Sequence, residues 1–510
     1  MMRPYLSIVA TGRNDNHGGN LIHRMQLFVD GIMEQTQKHQ LHTELLLVEW
    51  NPVKDRPRLS SVLSWPKNHS FCTVRIVEVP NELHRTYVHA ENLPLYQMVG
   101  KNVGIRRARG EHVLVTNIDI LFSEEVFDFI AKRGLNRGNI YRVCRYDVDN
   151  ALSVDYSQQE KLQFCEDHII RINDRFGSLN TITNEYYLVF PDDARAQGLM
   201  PPFTNACGDF QLMHRDHWFD LRGYAEFDLY SMHLDSLMQY AALATGLREI
   251  EISDGGRIYH IEHEAGWSPE AEKSKQLENR LKSGKVNSLS FEQLIVFNGL
   301  MGLNQEILLF NQDDWGMGSL VLEDEFIVTA WWDKDESQGY EPAAVDYLPH
   351  LICSTEEWLD YADRNYITVL TMNAGTFPEW LGKIADIKRK IEQQKIILFG
   401  SGSGYAKFVE PVMKHFKVNN KGLYFVDNDA NKVGANVKGV PIRRVEVLLD
   451  EDRDHTFIIV CSMYYSQIKR QLIQLGFEEN IHFGNGLNNP YLYQLGTNVG
   501  KYSFSELRET

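Results

Sequence analysis

The sequence predicts an α/β protein made of two separate α/β units joined by a mixed region. Three observations predict it. A chain of 510 residues exceeds what one hydrophobic core organises. Apolar strand-like runs alternate with helical segments in the first part, and the same alternation restarts at Lys395.

The first unit is placed at residues 1–270. Residues 5–10, 44–49, 73–79 and 112–116 are apolar runs of strand length, while 20–37 and 94–109 carry helical periodicity. Such alternation implies a mostly parallel sheet, whose ligands bind beyond the carboxyl ends of the strands. Residues 271–390 turn charged and helical, then mix short acidic loops with aromatic segments such as DDWGMG and AWWDKDE. They form the connecting region, with no fold assigned. Residues 391–510 form the second unit, with apolar runs in KIILFGSGSG, GLYFVDND and TFIIVCSMYY.

Composition narrows the function classes. Hydrophobic residues at 43% and aromatics at 11% supply enough core for a folded chain rather than a disordered one. A formal net charge of -17 excludes a general nucleic-acid binder, because phosphate neutralisation needs a basic surface. The six cysteines are dispersed without a CxxC pair, which predicts buried free thiols in a reducing compartment and no zinc site. The opening MMRPYLSIVATGRND reads as a first strand and lacks the h-region of a signal peptide, and nothing reaches membrane-spanning length. These readings predict a cytoplasmic protein whose membrane contact is peripheral, at the inner face, through a lipid-linked substrate. Assembly into a homo-oligomer stays open.

The loop ATGRNDNHGGN after the first strand is rich in Gly, Asn and Asp; taken alone it is a strand-to-helix turn. Glu49 ends the second strand, where a carboxylate can accept hydrogen bonds from a base or ribose. The stronger signal is KNVGIRRARGEHVLVTNIDILFS at 101–123, a helix feeding an apolar strand that ends at Asn117-Ile118-Asp119. Alternation along a strand sends Asn117 and Asp119 to one side, where both reach a single ligand, and the Asp119 carboxylate is the better partner for a hard cation.

Here the chain resembles the GT-A glycosyltransferases of the family 2 type. Residues 101–123 look like that family's Arg-Asn-x-Gly-Ile-x-x-Ala-x-Gly pattern followed by a strand and an Asp-x-Asp motif, and LSIVATGRND is similar to its first strand and loop. The resemblance implies a GT-A-like nucleotide-sugar-binding domain and a nucleoside-diphosphate sugar as donor. It also implies a divalent metal, Mn²⁺ or Mg²⁺, which stabilises charge on the leaving diphosphate. By the same resemblance Thr11, Arg13, Asn14, Glu49, Asn102 and Asn117 fall near the donor nucleotide, and Asp119 with Asn117 near the metal. Two departures stand out: Asn117 replaces the first acid of the motif, and Arg13 replaces an aromatic residue.

Residues 205–246 resemble the family's acceptor-binding stretch, with Gly208, Arg215, Gly223 and Asp235 at corresponding positions and Leu234 in place of the first acid. A carboxylate must take the proton of the attacking hydroxyl, which makes Asp235 the first candidate for the base and Asp209 the second. In the resembling enzymes a histidine after a late strand completes the metal site; RIYHIEHEAGWS offers His260 and His263, with no choice between them.

In the second unit, Gly400, Gly402 and Gly404 lie between a strand and a helix, where backbone amides can cradle phosphate, and Asp427 ends the next strand, where it suits ribose hydroxyls. FVDNDANKVGANVKGVPI resembles the small Rossmann-like modules attached to bacterial sugar-modifying enzymes, implying an accessory ligand-binding or assembly role.

The expected function is transfer of a sugar from a nucleoside-diphosphate donor such as a UDP-sugar to a glycan or lipid-linked glycan, in bacterial surface polysaccharide synthesis. Asn117 and Leu234 keep a second reading open, a non-catalytic binding or scaffold protein on a degenerate GT-A fold. A third is a nicotinamide-dependent oxidoreductase centred on residues 400–404.

Overall fold

The structure is a computed structural model, and it describes residues 3–196, 199–263, 271–304, 307–331, 354–372, 394–415, 422–487 and 499–502. The junctions expected at 270/271 and 390/391 fall at or within segments outside the described residues.

Strands β1 (Leu6–Gly12), β2 (Thr43–Trp50), β3 (Cys72–Val79) and β4 (His112–Thr116) lie parallel in the order β3-β2-β1-β4. They match the four runs read from the sequence to within two residues at each end. Every residue of β1, β2 and β4 is buried, as expected for central strands covered on both faces. Alternation divides their side chains between two cores. Leu6, Ile8 and Ala10 share one core with Met25, Phe28 and Ile32 of helix Leu21–Lys38. Val9, Leu46 and Val48 share the other with Val99 and Val103 of helix Gln97–Arg107. Glycine sets how closely that second helix approaches β1: a Cβ on Gly104 would stand 2.4 Å from Val9 Cγ1.

Beyond β4, β5 (Ile120–Phe122) enters a second sheet, β6 (Asn139–Arg142) returns to the first, and β7 (Cys144–Val148) enters the second. β8 (Ile169–Asn173), β9 (Gly177–Asn180) and β10 (Tyr186–Leu188) extend from β7 as an antiparallel meander. β11 (Phe210–His214) inserts antiparallel between β4 and β6, and β12 (Arg248–Ile252) lies parallel to β6. β13 (Arg257–Ile261) fills the gap between β7 and β5. Two later segments complete the edges of the first sheet. Glu323–Val328 pairs antiparallel with β3, and Val499–Tyr502 pairs parallel with β12.

The α/β unit expected after residue 395 is a separate sheet. Lys395–Phe399 runs parallel between Tyr424–Val426 and Thr456–Val460, with Val440–Arg443 and Phe483–Asn485 outside them. Its contacts with the rest of the chain are specific. Asp192 Oδ1 accepts the Ser466 amide at 2.8 Å, Asn485 Nδ2 donates to Asp193 at 3.2 Å, and Phe408 packs edge-on against Phe291.

The cysteines within the described residues are free thiols, buried except for the half-buried Cys144; Cys353 lies outside those residues. Among the described residues no helix is long and apolar enough to cross a membrane.

Candidate functional site

The Asn117-Ile118-Asp119 segment is the hinge between the two sheets. The sequence places Asn117 and Asp119 on one strand face, but β4 stops at Thr116 and β5 starts at Ile120, so both residues sit in the turn between them. Strand alternation therefore does not orient them; sheet pairing does. β5 runs antiparallel to β13 with Ile120 opposite His260, and the Asp119 carbonyl accepts the Ile261 amide at 3.1 Å.

That register brings Asp119 against both late histidines. Its Oδ2 lies 3.4 Å from His263 Nε2 and 3.9 Å from His260 Nε2, and the ligand atoms of all three residues fall within 4.8 Å of one another. Arg24 donates to the same oxygen at 2.6 Å and anchors its other nitrogen on the His17 carbonyl. Burial alone would raise the Asp119 pKa. The hydrogen bond from His263 and the charges of His260 and Arg24 outweigh it and hold the carboxyl well below the usual range.

Behind His260 lies a second carboxylate. β13 runs parallel to β7 with His260 opposite Asp147, whose Oδ1 is 3.2 Å from His260 Nδ1. Asp147, His260 and Glu262 also place ligand atoms within 4.8 Å of one another. Asp119 carries one guanidinium, that of Arg24, whereas Asp147 carries two, Arg145 at 2.9 Å and Arg171 at 2.8 Å, and it lies outside the cavity wall that Asp119, His260 and His263 share. Of the two trios, Asp119, His260 and His263 is the one suited to a metal ion.

The opposite wall comes from the turn Cys207–Asp209 and the first turn of helix Leu234–Ala244. Asp235 is held by the backbone N–H of Gly208 at 2.8 Å and of Ser236 at 2.9 Å. Leu234, in the place of the missing acid, is buried. Asp209 is committed elsewhere: Arg145 donates to its Oδ2 at 2.6 Å and the Asn117 amide to its Oδ1. The Asn117 side-chain oxygen accepts from Gln97 at 2.8 Å, so this residue bridges the two walls instead of joining the Asp119 trio. Lys101 is fully buried with Nζ on the Gly208 carbonyl at 2.8 Å; burial lowers its pKa against the opposing pull of Asp209 and Asp235.

These groups line one cavity of about 810 Å³, within the range of small-molecule sites. Thr11, Arg13, Asn117, Asp119, Asp209, Asp235, His260 and His263 all lie in its wall. So do Arg24, Lys101, Arg145, Arg171, Lys273 and Arg280, beside the acids Asp15 and Glu262, so the cleft has a mixed lining in which basic side chains slightly outnumber acidic ones.

Three expected residues are not in the cavity wall. Asn14 donates to the Pro57 carbonyl at 3.0 Å. Glu49 accepts the Leu59 amide at 3.1 Å, and its pKa is pushed up by burial to about 7. Asn102 locks the turn at Tyr224, accepting its amide and donating to its carbonyl, each at 2.8 Å. In the second unit, Gly400 adopts φ 96°, and Asp427 is drawn onto the glycine loop, accepting from the Ser401 amide at 2.9 Å and its hydroxyl at 2.6 Å. Gly402 has open space around it, and a Cβ on Gly404 would meet the Cys461 carbonyl at 2.5 Å.

Sequence reasoning missed Arg24, Lys101, Arg145 and Asp147. A signal for the last two was present: charges at alternate positions of the strand CRYDV mark groups that must find partners when buried.

The family model described as C2185-like, N-terminal, matches residues 392–481. Among curated proteins, none matches the chain in sequence. A mannosyltransferase of Pyrobaculum calidifontis, solved with GDP-Man and Mn²⁺, aligns at 13% identity over 60% of this chain and 65% of its own, with a TM-score of 0.32. GalNAc-T7, solved with UDP, GalNAc and Mn²⁺, aligns at 11% identity over 57% of this chain and 56% of its own, with a TM-score of 0.31. The chain thus spans less than two thirds of the length of each.

Proposed function

We propose that this protein is a glycosyltransferase that moves a sugar from a nucleoside-diphosphate donor to a glycan or lipid-linked glycan acceptor. One observation carries the reading: Asp119, His260 and His263 converge on one cavity whose opposite wall presents Asp235. One carboxylate and two imidazoles form a donor set compatible with Mn²⁺. Asp119, His260 and His263 would hold the ion, which when bound neutralises charge developing on the leaving diphosphate.

The chain's own residues divide the remaining work. Arg13, Lys101 and the loop after β1 face the donor's negative charge. Asp235 takes the proton of the acceptor hydroxyl, because its oxygens accept from the neutral backbone N–H groups of Gly208 and Ser236, whereas Asp209 is ion-paired with Arg145. On this reading residues 1–270 are catalytic, 271–390 connect, and 391–510 form an accessory unit. Synthesis of bacterial surface polysaccharide, with a lipid-linked acceptor met at the inner membrane face, is the setting we assign.

The test is calorimetric titration with UDP and GDP, with and without Mn²⁺; absence of metal-enhanced binding to either nucleotide counts against the proposal. Asp235→Asn is expected to leave donor binding intact and to lower transfer by about 10²- to 10⁴-fold. Gly208→Ala probes the same carboxylate from the other side, because the new Cβ would stand 2.8 Å from Asp235 Oδ2. A displaced base predicts a loss in kcat of about 10- to 100-fold without loss of Mn²⁺ binding. The buried Leu234 and the bridging Asn117 favour a second reading, a non-catalytic nucleotide-sugar-binding protein. Transfer activity that disappears in Asp235→Asn removes that reading.

A further inference from the structure

We propose that Asp147 is the positioning residue of this site: it accepts the hydrogen bond of His260 Nδ1–H, so that the Nε2 lone pair faces Asp119, and it shares Arg145 with Asp209. The inference rests on reading Asp119, His260 and His263 as a metal site.

The strand register is the starting point. His260 on β13 stands between Asp147 on β7 and the start of β5, so its ring is flanked by two carboxylates. Nδ1 lies 3.2 Å from Asp147 and Nε2 lies 3.9 Å from Asp119. A neutral imidazole has one N–H and one lone pair, and whichever nitrogen keeps the proton cannot bind a cation.

Asp147 decides which nitrogen that is. It is fully buried and outside the cavity wall, and its oxygens are occupied by Arg145, by Arg171 at 2.8 Å and by Asn173 at 3.1 Å. Two guanidinium groups within 2.9 Å, those of Arg145 and Arg171, pair with it as a carboxylate. An ionised carboxylate only accepts, so Nδ1 of His260 must donate, and the lone pair of Nε2 is left facing Asp119.

The same acid reaches the other wall. Arg145 pairs with Asp147 and extends Nη1 to Asp209 at 2.6 Å, and Asp209 in turn accepts from Asn117. A single buried carboxylate therefore orients the His260 imidazole and, through Arg145, Asp209 on the opposite wall.

The experiment uses the full chain labelled with ¹⁵N-histidine, with the His260 signal assigned by its loss in His260→Gln. At about pH 9, above the ordinary histidine range, the expected spectrum shows His260 protonated on Nδ1 alone. A proton on Nε2 overturns the proposal without any variant having to fold. Mn²⁺ titration then compares the unaltered chain with Asp147→Ala and with Asp147→Asn, which keeps an oxygen acceptor but not the charge. Expected are a rise in Mn²⁺ Kd of about 10- to 100-fold in Asp147→Ala, with mixed His260 tautomers, and a smaller rise in Asp147→Asn. A folded variant, Asp147→Ala or Asp147→Asn, that binds Mn²⁺ as the unaltered chain does overturns the proposal. An unaltered chain that binds no Mn²⁺ overturns the metal-site reading instead, and the His260 tautomer still decides the role of Asp147.

Discussion

Asp119→Asn is expected to abolish the strengthening of nucleoside-diphosphate binding by Mn²⁺ and to reduce sugar transfer on the order of 1,000-fold. Asp119 is the one carboxylate of the trio, the other two members being imidazoles, so its charge sets the affinity for a divalent ion. Asparagine still accepts from Arg24, whose Nη1 is 2.6 Å from Oδ2, so the turn should keep its shape. Asp119→Ala removes the acceptor as well. Both variants remove the counter-charge of Arg24, whose side chain is 3% exposed, but only Ala also leaves its N–H without this acceptor, so the fold should become less stable than in Asp119→Asn by about 1–3 kcal/mol. Calorimetric titration together with thermal unfolding separates the two effects. Unchanged metal-enhanced binding in Asp119→Asn would remove Asp119 from the site.

What the sequence shows of this arrangement follows from how local each feature is. β1, β2 and β4 are legible because strands buried on both faces are continuous apolar runs. Asp119 is legible because the helix, the Gly110 turn and β4 precede it without a break. The choice between His260 and His263 needs no resolution, since the register of β13 against β5 brings both to Asp119. Asp147 is hidden for the opposite reason: it meets His260 across 113 positions, through a pairing of β7 with β13 that no local pattern encodes. The strand Glu323–Val328 is hidden because an exposed edge tolerates an acidic face, here turned to use by the ion pair of Asp324 with Arg75. Asn102 shows how a motif residue can be structural, since its side chain closes the Tyr224 turn and leaves the cavity wall to Lys101 beside it.

Glu44→Ala should destabilise the fold by about 3 kcal/mol, because it removes the buried counter-charge shared by Arg75 and Arg109 and leaves Arg75 with Asp324 as its acidic partner. Glu44 is the second residue of β2 and has no exposed surface; it accepts from Arg75 at 2.5 Å, from Arg109 Nε at 2.7 Å and from the Arg109 amide at 2.8 Å. It also accepts from Ser7 at 2.5 Å, and the Ser7 hydroxyl in turn accepts the Gly110 amide at 2.8 Å. A Cβ on Gly110 would stand 2.4 Å from the Ser7 nitrogen, so this cluster fixes the turn that feeds β4 and then Asp119. Burial would raise the Glu44 pKa, but Arg75, Arg109 and Ser7 hold it below the ordinary value of 4.5. A folded value below the unfolded one means that the ionised carboxylate contributes its full stability above pH 4.5 and loses it as pH falls through the folded value. The stability gap between the unaltered chain and Glu44→Gln, measured by urea unfolding, should therefore be widest near neutrality and narrow in acid. A gap that stays constant from neutrality to well below the ordinary glutamate range would show that the charge of Glu44 contributes nothing, and that only its hydrogen bonds hold the turn in front of Asp119.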